Sequence, residues 1–281
     1  SAREAVDAFL ERIDERNPTL NALVSVDVAR ARARAERAGQ ASERGRVLGP
    51  LHGVPFTLKD GHDVAGLRTT LGTRELDRVA TEDGTVAERL TAAGAIILGH
   101  TNVAPWLSDY QTANGVSGRR SSRWHPARTA GGRSGGAAAA VAAGLTSFDV
   151  VSDLAGSARQ PSHFCGVYGL KTTEHRVSLT GFFRPPPGAP NPVRIMSALG
   201  PVARDLAGLD LVLSIIAGPD GTDCDIPAVP LGVPRKRSID SVRLAYARTL
   251  PGVKVAKALQ DEVARVASRS ARAGATVKQQ L

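Results

Sequence analysis

The chain has 281 residues, of which 42% are hydrophobic and 22% charged, and its formal net charge is +9. This balance excludes a disordered chain and leaves enough apolar residues for a sizeable core. The apolar runs are too short to span a bilayer, and no signal segment opens the chain, so we expect a cytoplasmic protein without membrane contact. Dispersed arginines without interleaved aromatic residues argue against a nucleic-acid partner.

Two cysteines are too few for a disulfide framework, and they lack the spacing of a metal site. The six histidines are scattered and fit structural or surface roles. We therefore expect no metal.

The N-terminal part of the chain predicts helices that alternate with strands. Ser1 and Glu4 form a capping-box pattern before a first helix, and a second helix is predicted over residues 26–38. Residues 54–58 form an apolar run that predicts a strand with Lys59 at its C-terminal end.

The same alternation continues along the rest of the chain. Thr85 and Glu88 form a second capping-box pattern, and residues 95–98 predict a buried strand after that helix. Further helices are predicted over residues 137–143, 206–216 and 253–273, and further strands over residues 146–151, 242–246 and 275–279. Helix following strand in this way indicates α/β layering.

The glycine-rich segment over residues 131–136, GGRSGG, has several interpretations. A phosphate-binding loop would need a lysine where Ala137 stands. A nucleophile elbow matches with Ser134 as nucleophile, but it must follow a strand, and residues 124–128 read as a loop. A loop that positions a hydroxyl near another nucleophile and a plain turn before a helix both remain open.

The segment over residues 152–161, SDLAGSARQP, is a second candidate site. Small residues before Ser157 allow backbone N–H groups to converge on a carbonyl oxygen, as an oxyanion hole requires. Asp153 and Arg159 are expected to pair and hold the turn. Lys59 at a strand end is a candidate buried lysine, whose pKa burial would lower towards that of a general base. A serine in a turn and a lysine at a strand end also fit purely structural roles.

Together these segments resemble the amidase signature family, and they occur in the family's order. The matching segments are residues 17–22 (NPTLNA), 51–60 (LHGVPFTLKD), 99–102 (GHTN), 131–136 (GGRSGG), 152–161 (SDLAGSARQP) and 164–171 (FCGVYGLK). The resemblance implies one amidase domain over residues 1–281, with α/β/α layers around a mixed, mostly parallel twisted sheet. It also implies that the fold is truncated at the C-terminus.

The resemblance implies a mechanism and a set of site residues. Ser157 is the expected nucleophile and Lys59 the distal base. The expected oxyanion hole consists of the backbone amides of Leu154, Ala155, Gly156 and Ser157. A serine in the glycine-rich loop would carry the proton between Lys59 and Ser157, and an acyl-enzyme would form. No metal or organic cofactor is needed for this chemistry.

One position departs from the family's loop, which reads GGSSGG and uses its first serine as the bridge. Arg133 stands there, and only the second serine, Ser134, remains. Arginine cannot accept and return a proton near neutral pH. Its charge would favour neutral Lys59 but would not restore the relay, so Ser134 or a water would have to substitute. Val151 is a milder departure, since the family usually has glycine there.

The sequence therefore predicts an amidase that hydrolyses a C–N bond of a small linear amide, with activity impaired by Arg133. A catalytically silent amidase-like binding or scaffold protein is one alternative, and a protein similar to the glutaminase component of glutamyl-tRNA amidotransferase, its A-type subunit, is another. The substrate pocket is expected around residues 109–121 and 182–193. The oligomeric state is open, with a homodimer among the options.

Overall fold

The computed structural model describes residues 1–119, 128–184, 193–232 and 238–280. The chain divides into two compact units, Ser1–Leu231 and Gly232–Leu281. The single domain over residues 1–281 stays a prediction. None of the helices in the described ranges has the length and apolar content needed to cross a bilayer.

The first unit alternates helices with strands, as the sequence predicts. Its elements are α1 (Ala2–Leu20), β1 (Leu23–Val26), α2 (Val28–Glu43), β2 (Pro55–Lys59), β3 (Arg68–Thr69), β4 (Arg78–Val79), α3 (Thr85–Ala92), β5 (Ile96–Thr101), a 3₁₀ turn (Pro105–Leu107), β6 (Ala113–Asn114), β7 (Gly118–Arg119), α4 (Gly135–Ala143), β8 (Phe148–Asp153), α5 (Arg159–Cys165), β9 (Tyr168–Gly169), β10 (Ala198–Ala203) and α6 (Leu206–Ile216).

The main sheet has the strand order β1-β5-β2-β8-β10-β9. Strands β5, β2 and β8 are parallel neighbours, whereas β1 and β10 pair antiparallel with β5 and β8. Strand β9 is antiparallel to β10 and so runs in the direction of the central three. Four of the six strands therefore share one direction, and the prediction of a mixed, mostly parallel sheet is confirmed.

Helices cover both faces of this sheet, and its central strands are therefore buried throughout. On one face, α3 and α6 pack on apolar side chains of β2 and β8, among which Phe56 and Phe148 stack with ring centroids 5.2 Å apart. On the other face, α1, α2 and α4 pack on β1 and β5. The predicted α/β/α layering is confirmed.

The two predicted capping boxes have different outcomes. At α1, the backbone N–H of Glu4 donates to Ser1 Oγ at 3.2 Å and the Glu4 carboxylate accepts from the Ser1 amine, so this prediction is confirmed. At α3 the prediction is wrong, since Gly84 occupies the N-cap position. The Thr85 hydroxyl instead donates to Asp220 at 2.5 Å, and tertiary contact thus overrides the local pattern.

Two boundaries near the N-terminus also differ from the prediction. Helix α2 begins after Asp27, whose side chain accepts from the Arg30 amide, and it continues past Gly39 to Glu43. The predicted helix over residues 26–38 therefore starts too early and ends too soon. Val26 belongs to β1, an edge strand that the sequence pattern did not reveal because it is only four residues long.

The second unit contains a short βαβ arrangement. Its elements are a 3₁₀ turn (Ile239–Ser241), β11 (Arg243–Tyr246), α7 (Lys257–Arg272) and β12 (Thr276–Gln279). Strands β11 and β12 pair in parallel, with Arg243 opposite Thr276. The predicted strands agree closely with the observed ones, and α7 begins at Lys257 rather than at residue 253.

Candidate active site

Lys59 is the last residue of β2 and is completely buried. Its Nζ donates a hydrogen bond to Ser152 Oγ at 2.8 Å. Ser152 lies on β8, the strand that pairs in parallel with β2. The sheet therefore holds the amine of Lys59 against a hydroxyl at the carboxyl ends of two parallel strands, the edge where ligands bind in many α/β proteins.

Burial determines the protonation of Lys59. Burial, and to a smaller extent the positive charge of Arg133, lower the pKa of the amine from 10.5 to about 7, while the carboxylates of Asp149, Asp153 and Asp60 oppose the shift. A substantial fraction of neutral amine is therefore present near pH 7. A neutral amine can accept a proton, which is what a general base requires.

Asp149 is a second buried ionisable group in the sheet, and the sequence analysis did not single it out. Its Oδ2 accepts hydrogen bonds from Thr57 Oγ1 at 2.6 Å and from Thr101 Oγ1 at 3.0 Å. Its Oδ1 has no partner within the described residues. Burial raises the pKa of Asp149 from 3.8 to about 7. An aspartate inside an otherwise apolar run is the sequence signal that could have revealed it.

Asp153 holds the turn that carries Ser157. Its carboxylate accepts from the backbone amides of Gly156 at 2.7 Å and Ala158 at 3.1 Å, and it pairs with Arg159 at 2.9 Å, which confirms the predicted pairing. Burial acts in the opposite sense, but these hydrogen bonds lower the pKa of Asp153 to about 2. The turn is therefore fixed by a charged group that stays ionised, and Ser157 within it is 2% exposed.

The amides proposed for the oxyanion hole are not equally available. The amide of Gly156 is already donated to Asp153, whereas those of Leu154 and Ala155 have no hydrogen-bond partner among the residues that the structure describes. Gly156 adopts a φ of 102°, a backbone conformation that residues with a Cβ atom rarely adopt. Leu154 and Ala155 are thus the freer donors in this turn.

The glycine-rich loop packs against α5, the helix that begins just after Ser157. Gly131 and Gly132 have φ values of 73° and 64°, and a Cβ on them would lie 2.6 Å from side-chain atoms of Phe164 and Pro161, respectively. Only glycine fits both the backbone conformation and the space. This close packing brings the end of the loop to the Ser157 turn.

Arg133 contacts the candidate nucleophile directly. Its Nη1 donates to Ser157 Oγ at 3.3 Å, and its Cζ lies 4.5 Å from the centroid of the Tyr110 ring. The Tyr110 hydroxyl in turn donates to the carbonyl oxygen of Ala155 at 3.3 Å. Tyr110 falls within the predicted pocket segment, but its contact with Arg133 could not be read from the sequence.

Ser134 is completely buried at the start of α4, and its Oγ has no partner within the described ranges. Residues 128–134 contain no strand, so the strand that a nucleophile elbow at Ser134 requires does not directly precede it. Residues 124–127, and the parts of the predicted pocket at 120–121 and 185–192, lie outside the described residues.

The structure thus brings the predicted site residues into two contacts. Lys59 contacts Ser152, which the sequence analysis did not identify as a site residue, and Arg133 contacts Ser157. In the part of the chain that the structure describes, no cluster of histidine, cysteine or acidic side chains could hold a metal ion. The arrangement contains an amine with a lowered pKa, hydroxyl groups and backbone amides without described partners, which are the kinds of group that acyl transfer uses.

Comparison with known proteins identifies the family. The model of the amidase family matches residues 4–280. The chain is 41% identical over 237 residues to the A-type subunit of the glutamyl-tRNA(Gln) amidotransferase of Synechococcus sp. (strain CC9605), covering 82% of this chain and 46% of that protein. It is 38% identical over 267 residues to an acylamidase of Rhodococcus erythropolis, covering 89% and 52%.

Solved structures agree with this result. The structure of native peptide amidase from Stenotrophomonas maltophilia superposes with a TM-score of 0.87 at 28% identity, covering 100% of this chain and 58% of that one. The chain therefore spans about half the length of the curated relatives it matches. Both the family model and the shared fold lead to one conclusion: the chain belongs to the amidase signature family.

Proposed function

We propose that this protein hydrolyses the C–N bond of a small amide through an acyl-enzyme on Ser157, with Lys59 as the distal base. The observation that carries the proposal is the burial of Lys59 at the end of β2, because burial allows the amine to be neutral near pH 7. A lysine held only for structure would be stabilised as an ammonium by a partner carboxylate, whereas the partner of Lys59 Nζ is a hydroxyl.

The reaction follows from these positions. Ser157 Oγ forms a bond to the amide carbon while its proton moves towards Lys59, and the backbone amides of Leu154 and Ala155 stabilise the oxyanion. The C–N bond then breaks as the amine leaves with that proton. Water attacks the ester and releases the acid, which restores the Ser157 hydroxyl. No redox partner or cofactor is needed for these steps.

The proton route is the step at which this chain is expected to be impaired. Arg133 occupies the position of the bridging serine and cannot relay a proton. The buried Ser134 hydroxyl has no described partner and is the proposed substitute, while Ser152 holds the amine of Lys59 in place. We therefore propose slow hydrolysis.

Two alternatives are kept because specific observations favour them. The contact between Arg133 and the Ser157 hydroxyl fits a silent binding protein, and the identity to amidotransferase A-type subunits fits a partner-dependent component of a complex. Isolation of the protein in a stable complex with a second, different polypeptide would favour the latter. A cytoplasmic location and a homodimer stay predictions.

Labelling with a serine-directed fluorophosphonate tests the nucleophile. We expect one covalent adduct per chain by intact-mass measurement, located on Ser157 by peptide mapping, because Ser157 is the hydroxyl beside the available amides. Ser157→Ala should abolish the adduct, and Ser214→Ala, which removes an exposed hydroxyl on α6, should leave it unchanged. A folded protein that remains unlabelled would support the silent alternative.

Asp149→Asn tests the coupling between the two buried groups. The carboxylate of Asp149 raises the pKa of Lys59, so its loss should move the acid limb of the kcat/KM profile about one pH unit lower. The wild-type pKa of Asp149 lies above its unfolded value, so the variant should gain stability relative to wild type as the pH rises from about 4 to about 7. Asp210→Asn, on the exposed side of α6, should change neither quantity. If the acid limb does not move, the charge of Asp149 does not affect the pKa of the base.

A further inference from the structure

The guanidinium of Arg133 carries a positive charge that no described acidic side chain neutralises. It forms no ion pair with a carboxylate in the described ranges, and its Nε is buried without a partner there. The carboxylate of Asp153, in the same turn as Ser157, is already occupied by Arg159 and by backbone amides. A half-buried arginine without a counter-charge is costly unless a ligand supplies one.

The aromatic ring of Tyr110 fixes the orientation of this charge. The guanidinium lies 4.5 Å from the ring centroid, a cation–π contact, and the Tyr110 hydroxyl is tied to the Ala155 carbonyl in the Ser157 turn. Packing on the face of a ring leaves the in-plane Nη N–H groups of a guanidinium free to donate. Those groups match the planar geometry of a carboxylate and can bind it through two hydrogen bonds.

The distance to Ser157 limits the size of the ligand. Arg133 Nη1 lies 3.3 Å from Ser157 Oγ, and a reacting carbonyl carbon would sit roughly 3–3.5 Å from the same oxygen. A carboxylate bound by the guanidinium is thus only a few bonds from the scissile carbon. This spacing suits the half-amide of a short dicarboxylic acid and disfavours a long neutral acyl chain.

We propose that Arg133 and Tyr110 form an anion-binding subsite beside Ser157, and that the substrate is an amide whose acyl part carries a carboxylate. The assignment of the carboxylate to the acyl part rests on the proposed function of Ser157 as nucleophile. The binding of an anion at Arg133 does not. The arginine that interrupts the relay thereby acts in substrate selection.

Calorimetric titration of the Ser157→Ala variant with succinate tests the subsite without turnover. We expect succinate to bind, and the further change Arg133→Met to weaken it at least tenfold, because Met keeps the apolar stem but removes the charge. Arg133→Lys should bind with intermediate affinity, since it keeps the positive charge but loses the planar pair of N–H donors. Arg204→Met, at an exposed arginine after β10, is the matched control and should bind as the parent does. Circular dichroism would verify that each variant is folded.

The outcomes separate the subsite from the hydrolysis. Equal succinate affinity with and without Arg133, equally tight binding of neutral succinamide, or no binding at all would overturn the subsite. Arg133-dependent binding of succinate by a protein that does not hydrolyse succinamate would support the subsite and count against the proposed function. Hydrolysis of neutral amides by a protein whose succinate binding does not depend on Arg133 would support the proposed function and count against the subsite.

Discussion

Lys59→Met is expected to lower kcat/KM for a neutral aryl amide by about a hundredfold or more while leaving the protein folded. The methionine fills most of the volume of the lysine stem, so β2 should keep its packing. The substitution removes the amine that we propose accepts the proton of Ser157, and general-base contributions of about 10²–10⁴ are typical. Steady-state kinetics at pH 8, where wild-type Lys59 is mostly neutral, would measure the ratio.

The pH dependence identifies the lost group. In the wild type, kcat/KM should rise with pH and reach half of its plateau at about pH 7, because protonated Lys59 cannot act as a base. The residual activity of Lys59→Met should lack this limb. Lys254→Met, at an exposed lysine, should retain both the rate and the limb.

The Lys59→Met substitution should raise the stability of the protein although it lowers the activity. The folded pKa of Lys59 lies below its unfolded value of 10.5, so the unfolded chain binds more protons between about pH 7 and pH 10.5. Wild-type stability therefore contains a penalty that is full below pH 7 and relieved as the pH rises. Lys59→Met should accordingly be stabilised more at pH 6 than at pH 10 in urea unfolding. A variant that is destabilised at pH 6 and retains its pH–rate limb would contradict the assignment of Lys59 as base.

The central part of the fold could be predicted because the local sequence pattern there agrees with the burial of the residues in the folded protein. The apolar run before Lys59 predicts β2, and the same run is buried on both faces of the sheet. At Thr85 the two disagree, since the hydroxyl expected to cap α3 donates to Asp220, more than a hundred residues away. A capping pattern contains no information about so distant a partner.

The candidate site shows the same limit at the level of side chains. Lys59, Arg133 and Ser157 can be selected from motifs, because each belongs to a contiguous segment with a recognisable order. The contact of Lys59 with Ser152 and that of Arg133 with Tyr110 join different segments, and only the folded sheet brings them together. Contacts of this kind orient the charged groups of the candidate site, and no contiguous motif reveals them.

Arg133→Ser is expected to raise kcat/KM for a neutral aryl amide by about tenfold or more, since it places a hydroxyl where the proposed relay between Lys59 and Ser157 requires one. A neutral substrate is the suitable probe, because the proposed anion-binding role of Arg133 does not affect its rate. The guanidinium also lowers the pKa of Lys59, so its removal should shift the acid limb to higher pH. The comparison therefore belongs on the plateau, near pH 9.

Arg133→Ala is the matched control, because it removes the same charge and the same contact with Ser157 Oγ without adding a hydroxyl. If relief of that contact were sufficient, both variants would gain equally, and the relay would not be the missing part. If only the serine variant gains, the proton path is limiting in the wild type. A fall in rate for both would show that the guanidinium itself stabilises the reacting Ser157 oxygen, and Arg133 would then promote the reaction.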